Sequence, residues 1–458
     1  MSLLNRVISL AREGWDPVFR SAASLNRAIE HLVAGVSTMG RRTISRTITA
    51  LGRDQQDWSA DYKLFSRSSW ETNGLYEPVL VNGLALTDGQ GPVPIALDDT
   101  KLRKFGRSIP QAGWHRDPMS PPFHTNLQWG LRYLQASLLV PHNLDAQVGC
   151  RSLPLRFVPA PWIKKPGKRA SDQDRAAYRK QKKEQNLSRT GRELLTDLRA
   201  ALDQAGAQRR LLIAAVDGSF CNKALFSEPL DRTRLLARAR KDARLCYPAP
   251  PESRRTYSPD RFTPEQVRQD DSIDWAEASI FYTGQLRSIR YKELSGVLWQ
   301  RGSGKRQVRL IVIAPQPYKA PNCRAYRDPA YLLTDDLETP VQSLIQIYFD
   351  RWQIEVNHRE EKSFIGVGDA QLWNELAASR HPTFQVACYS LILLGGILEA
   401  GSTRNDSYTP LPKWRKPSAR PSILDLLTKV RLELCNETSA SLGIPPFSGE
   451  TFVRSAFT

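Results

Sequence analysis

A chain of 458 residues is too long for one compact core and implies two or more domains. With 41% hydrophobic and 24% charged residues it is neither disordered nor fibrous in composition. The excess of 65 Lys+Arg over 47 Asp+Glu gives a net charge of +18 and a pI near 9.8, so the expected partner is a polyanion: nucleic acid or an anionic membrane. The six cysteines (150, 221, 246, 323, 388 and 435) lie far apart with no C-x-x-C pair, which argues against a zinc cluster or disulfide scaffold and fits a reducing cytosol. Charges run through the apolar positions of the N-terminus, unlike a secretory signal. The most apolar run, Phe384 to Ile397, contains Gln385 and is short for a bilayer span. It reads as a buried helix, which leaves nucleic acid rather than membrane.

In chain order, residues 1–75 carry apolar positions at helical spacing, as in Leu25, Ile29, Leu32 and Val33. The stretch from Ser37 to Gly40 breaks that pattern, and RRTISRTITAL (Arg41 to Leu51) resumes it with Arg41, Arg42 and Arg46. Helix, Gly-containing turn and basic helix outline a helix-turn-helix, although plain helical bundles share this outline. From about Val93, PVPIALDDT reads as a buried strand ending in two aspartates, and Asn126 to Val140 as one or two further strands. Residues 159–192 are basic and suited either to solvent or to phosphate contact. Arg192 to Gly206 reads as an amphipathic helix. RLLIAAVDGSF (Arg210 to Phe220) is a buried strand ending at Asp217, and Thr233 to Leu245 a strand alternating with Arg. Residues 246–340 read as a β-rich insertion with strands near 279–283, 288–291 and 307–313. Helices follow, with a polar linker over roughly 401–420 and a last helix from Ile423 to Cys435.

The segment YFDRWQIEVNHREEK (residues 348–362) spaces Tyr348, Arg351, Glu355 and Lys362 as Y-x2-R-x3-E-x6-K. On a continuous α-helix these four fall within an arc of roughly 60°. One carboxylate amid cations suits a metal-bound phosphodiester, whereas an i,i+4 ion pair between Arg351 and Glu355 would suit a solvated helix. Three acidic positions stand out along the chain: Asp99 (with Asp98 beside it), Asp217 and Glu355. Carboxylates at the ends of neighbouring strands, plus one from a flanking helix, make an oxygen cage for hard cations that promote phosphoryl displacement.

IALDDT, AAVDGSF followed by ARARKD, and YFDRWQIEVNHREEK, in that order, resemble the DDE transposases of bacterial insertion sequences bearing the Y-x2-R-x3-E-x6-K signature. The resemblance covers most of residues 35–375. It implies an α/β RNase H-like catalytic core with a β-rich insertion, an N-terminal helical DNA-binding domain and C-terminal helices. The corresponding divisions are 1–90, 91–245, 246–340, 341–400 and 401–458. It implies that Asp99, Asp217 and Glu355 hold two Mg²⁺ ions, with Mn²⁺ as a substitute; Asp99 is preferred to Asp98 because the family's aspartate precedes Thr. Tyr348, Arg351 and Lys362 would contact phosphates near a transposon end, with Arg238 and Arg240 nearby. Tyr331 and Trp299 are aromatics of the insertion that could hold a flipped base, and each also suits an ordinary core. The expected activity is cut-and-paste transposition on double-stranded DNA by a homodimer in a synaptic complex, at the nucleoid in the bacterial cytoplasm. The alternatives are a catalytically silent DNA-binding regulator and an RNase H-like structure-specific nuclease.

Overall fold

A computed structural model describes residues 1–436 apart from 118–119, 122, 142–144, 146, 161, 320–323 and 417. The N-terminal region is helical: α1 (Leu3–Trp15), α2 (Ala22–Ser37), α3 (Ile44–Ala50), α4 (Ser59–Ser66) and α5 (Glu77–Leu84). Side-chain oxygens of Ser2, Ser21 and Thr43 cap the first three, each accepting a backbone N–H that would otherwise go unpaired. The core strands then follow as β1 (Val93–Arg103), β2 (Gly113–Arg116), β3 (Leu127–Val140) and β4 (Arg151–Pro159). Helices α6 (Asp172–Glu184) and α7 (Leu187–Gln204) lead to β5 (Leu212–Val216), α8 (Lys223–Phe226) and β6 (Thr233–Arg238). The next stretch holds α9 (Pro264–Gln269), β7 (Ala276–Tyr282), β8 (Gln285–Leu298), β9 (Gln307–Ile313), β10 (Gln316–Lys319), β11 (Arg324–Arg327) and β12 (Ala330–Thr334). Helices α10 (Val341–Asp350), α11 (Trp352–Glu360), α12 (Glu375–Ala400) and α13 (Ile423–Asn436) complete the order.

Ten strands form one sheet in the order β2-β3-β1-β5-β6-β12-β9-β8-β7, with β4 also pairing with β3. β1, β5 and β6 are parallel, and every other pairing in this sheet is antiparallel. The strands of the expected insertion continue the sheet, because β12 hydrogen-bonds to β6 in register Leu333↔Ala237. The stretch expected as one or two strands forms one, Leu127–Val140, and the Arg-alternating strand stops at Arg238, short of Leu245.

The two faces of the sheet bury different layers. One carries Ile95, Leu97, Ala214 and Val216 against α7, α12 and the N-terminal helices. The other carries Ala96, Ile213, Ala215 and Leu236 against Leu344, Ile345, Ile347 and Ile354 of α10 and α11. α12 is apolar enough by composition to cross a membrane, yet 83% of its most apolar window is buried inside the fold. Its Tyr389 hydroxyl donates to Glu360 Oε2 at 2.6 Å, and Ser390 Oγ to the Pro154 carbonyl at 2.7 Å. Both bonds satisfy polar groups that burial would otherwise leave unpaired.

The segment expected as one helix from 348 to 362 is broken. α10 ends at Asp350 and α11 restarts at Trp352, and a π-helical turn over Glu361–Ile365 follows. Asp350 closes α10, where the helix dipole opposes a negative charge. Burial pushes its carboxyl up to about 7, against the pull of a hydrogen bond from Gln346. A carboxyl raised above its unfolded value contributes stability below the usual aspartate range, and that contribution is lost as pH rises through about 7. Asp350→Asn is expected to melt like the parent near pH 4 and to gain on it towards pH 8, by up to about 4 kcal/mol. Thermal denaturation across that range measures the difference; a gap that does not grow with pH would overturn the assignment.

Candidate active site

The parallel pairing sets the site. β1 and β5 run in register Leu97↔Val216, and β5 and β6 in register Val216↔Ala237. One residue further on lie Asp98, Asp217 and Arg238, side by side at the C-terminal ends of three adjacent strands. Since side chains alternate faces, all three share the face that carries Ala96, Ala215 and Leu236, the one on which α10 and α11 pack. Asp217 leaves its strand in extended conformation (φ −74°, ψ 168°) and enters a 3₁₀ turn over Gly218–Phe220.

From the helical side come Tyr348, Arg351 and Glu355. Arg351 Nη2 donates to Glu355 Oε1 at 3.2 Å, and its Nη1 lies 3.7 Å from Asp98 Oδ2. The guanidinium, 12% exposed, thus bridges the two carboxylates. Its Nε and Nη1 are buried without a hydrogen-bond partner. Such orphaned donors are costly unless another acceptor arrives. Burial pushes the Asp98 carboxyl up to about 7 while Arg351 pulls it down, and Asp99 and Asp217 add to the rise. Glu355 is likewise raised by burial, with Asp217 adding and Arg351 opposing. Burial raises the Tyr348 hydroxyl too, which feels Arg238, Arg351, Asp217 and Glu355 together. Lys362 is lowered, first by burial, and senses Glu361, Asp99, Lys101 and Asp98.

Asp99 points elsewhere. Its Oδ2 and Oδ1 accept from Arg132 Nε and Nη2 at 2.7 and 2.8 Å, a two-pronged ion pair on the opposite side of β1. The preference for Asp99 over Asp98 is therefore corrected: alternation turns Asp99 from Asp217 and Glu355 and turns Asp98 towards them. Arg132 was missed altogether, since only its pairing opposite Lys101 on β3 brings it within reach of Asp99. Arg238 is exposed beside Asp217, whereas Arg240 is held by Asp242 at 2.8 Å. Tyr331 is buried and donates its hydroxyl to Glu265, and Trp299 packs on Phe226 with ring centroids 5.6 Å apart. Both are core aromatics.

The basic helix expected in a helix-turn-helix is the seven-residue α3, whose Ile44, Thr47, Ile48 and Ala50 are buried. Arg42 serves the fold: its Nε donates to the Gly35 carbonyl at 3.1 Å, and burial brings it down to about 10. The guanidiniums of Arg41 and Arg46 reach solvent, donating to the carbonyls of Asp369 and Met39. Most cations of the 159–192 stretch lie on exposed surface, and α6 buries no residue.

Residues 19–306 match the family of DDE superfamily endonucleases. The chain belongs to that family. Among curated proteins no match to the chain is found. The matched stretch holds Asp98, Asp99 and Asp217 and ends before the helix of Glu355. The mixed α/β sheet with N- and C-terminal helices is consistent with a DDE/RNase H-like superfamily fold. DDE-type enzymes generally use divalent metal ions. Asp98, Asp217 and Glu355 offer only oxygen donors, the type a hard cation takes, so they fit in chemistry. In spacing they fall short of closure: among the described residues, no three acidic, His or Cys side chains are gathered to hold an ion.

The geometry separates the two adjacent aspartates. For this DDE endonuclease, Asp98→Asn is expected to lower divalent-dependent DNA cleavage by at least ~100-fold, and Asp99→Asn by less than ~10-fold. Single-turnover cleavage of labelled DNA compares them; the reverse order would return the role to Asp99.

Proposed function

We propose that the protein is an insertion-sequence DNA transposase of the Y-x2-R-x3-E-x6-K group, performing cut-and-paste transposition at terminal inverted repeats. The observation that carries this reading is the convergence of Asp98, Asp217 and Glu355 on one side of the sheet with Arg351 among them. These carboxylates would hold two Mg²⁺ ions, or Mn²⁺ in their place, whose chemistry when bound is to activate the attacking oxygen and offset charge on the leaving one.

The remaining roles belong to the chain itself. Arg351 has two donors free for non-bridging phosphate oxygens, so substrate would draw it from Asp98 and Glu355. The Tyr348 hydroxyl, kept protonated by burial, is a hydrogen-bond donor to the same phosphate. Arg238 and Lys362, both exposed at the site's rim, would offset charge on the flanking phosphates. In the first step water attacks phosphorus and the P–O3′ bond breaks, freeing a 3′-hydroxyl. In the second that hydroxyl attacks a target phosphodiester, and an equivalent bond breaks there. Residues 1–90, with Arg41 and Arg46 at their surface, would grip the duplex, and two copies would synapse two ends in the bacterial cytoplasm.

With Mg²⁺ and DNA carrying the inverted repeats that flank its gene, the purified protein is expected to nick at the repeat ends. Glu355→Gln should abolish nicking, by roughly 1000-fold or more, while leaving duplex affinity within about twofold. Undiminished nicking by this variant, measured on end-labelled DNA, would sink the role given to Glu355.

A further inference from the structure

Beyond the carboxylates, β1 runs on to a surface that the proposed chemistry does not use. Arg103 ends the strand about 16 Å past Asp98 at strand rise. Here Phe105, Trp114 and Trp373 are 65%, 49% and 66% exposed. They belong to one patch. Trp114 meets Trp129 edge-on across the β2–β3 pair, ring centroids 5.5 Å apart. Trp373 lies so near Gly106 that a Cβ there would stand 3.4 Å from its indole nitrogen. Two guanidiniums interleave the rings: Arg107 lies 4.6 Å from the Trp114 ring and 4.8 Å from Trp129, and Arg103 lies 5.3 Å from Phe105. Both lie over aromatic rings. A solvent-open cavity of about 420 Å³ lies among Arg103, Phe105, Arg107, Trp114 and Trp129, with Asp117 as the single carboxylate in its lining.

The framework under this patch is stiff. Lys104 is buried and its Nζ donates to the carbonyls of Gly368 and Ala370 at 2.8 and 2.7 Å. The Phe105 amide donates to Gln371 Oε1 at 3.0 Å, and Trp129 Nε1 to the Gly106 carbonyl at 3.1 Å. Gly113 has no room for a side chain, because a Cβ would overlap the Trp162 ring at 2.0 Å. These bonds pin the backbone while leaving aromatic faces in water, a costly arrangement unless something flat and apolar covers them.

We propose that this patch is a stacking platform for unpaired DNA bases, with Arg103 and Arg107 neutralising the phosphates between them. Bases in a duplex are stacked on one another and offer edges; an unpaired base offers the face that tryptophan and phenylalanine bind. The positive surface matches a strand and repels a basic copy of the chain. The inference rests on the reading of the protein as a DNA-processing enzyme. At ~3.4 Å per stacked nucleotide, the platform would engage bases about five nucleotides from the scissile phosphate.

The test is fluorescence anisotropy of a labelled 12-nucleotide single strand and of the same sequence as duplex, with full-length protein in EDTA so that no cleavage intervenes. Trp114→Ala and Phe105→Ala should each weaken single-strand binding about tenfold, the size of one lost base–aromatic stack. Duplex affinity should change less than twofold, and Trp114→Phe should restore most of the loss. Phe105→Ala keeps the test open if Trp114→Ala fails to fold, since Phe105 is the more exposed ring. Unchanged single-strand affinity in a folded Phe105→Ala protein overturns the proposal. So does an equal loss on duplex and single strand, or a loss of dimer mass in Trp114→Ala with single-strand affinity intact, which would mark a contact between copies. Failure of the wild-type protein to cleave any DNA, with the stacking signature intact, would sink the transposase reading alone and leave the platform supported.

Discussion

The constraint on which the rest depends is the parallel register of three short strands. β1, β5 and β6 bring Leu97, Val216 and Ala237 level, so the next residues, Asp98, Asp217 and Arg238, emerge together from the sheet. Small side chains beneath them, Ala96 and Ala215, let α10 and α11 approach closely enough for Glu355 and Arg351 to join. A slip of one residue in either pairing would send one aspartate to the opposite face, into the layer that holds Leu97 and Val216. Hydrophobic burial on both faces holds that register.

Gathering carboxylates in a half-buried cleft raises the free energy of their charged forms. Arg351 offsets part of this by bridging Asp98 and Glu355, at the expense of two buried donors left without acceptors. The two readings of this arginine, ion-pair partner or phosphate clamp, are thus not exclusive. Nη2 is bonded to Glu355, and Nε and Nη1 are left without hydrogen-bond acceptors, the donors that the proposed phosphate contact would use. Asp99 follows the opposite course, with both oxygens satisfied by Arg132. Two adjacent aspartates therefore differ in availability because alternation gives them different neighbours.

Local pattern carried much of the architecture. Apolar runs ending in aspartate mark β1 and β5, and helical spacing marks the N-terminal helices and α12, because these signals lie within a single element. What depended on partners far along the chain was not legible. Choosing Asp98 over Asp99 needed the pairing with β5, whose residues lie more than a hundred positions away. Arg132 needed β3 beside β1. The joining of β12 to β6, which makes the expected insertion part of the main sheet, is likewise a tertiary fact. The break at Arg351 leaves no proline or glycine to announce it, and the four signature residues approach the site from two helices and a π turn.

The end of β1 also ties the helical N-terminal region to the sheet. The loop of residues 366–371 receives Lys104 from β1's extension through two carbonyls. It receives the turn before α3 through Asp369, whose Oδ2 accepts from the Arg42 amide at 2.9 Å. Gly366 sits at φ +71° within this loop, and a side chain there would strike Arg42, so the turn and the loop are fitted to one another. Gln385 of α12 lies over the same junction, its side-chain amide directed at the carbonyls of Ile365 and Gly366. Movement of the α2–α3 turn would therefore be felt at the strand that carries Asp98. Such coupling needs no separate hinge: a duplex gripped by the N-terminal helices would be held in fixed relation to the carboxylates, because the same few hydrogen bonds anchor both.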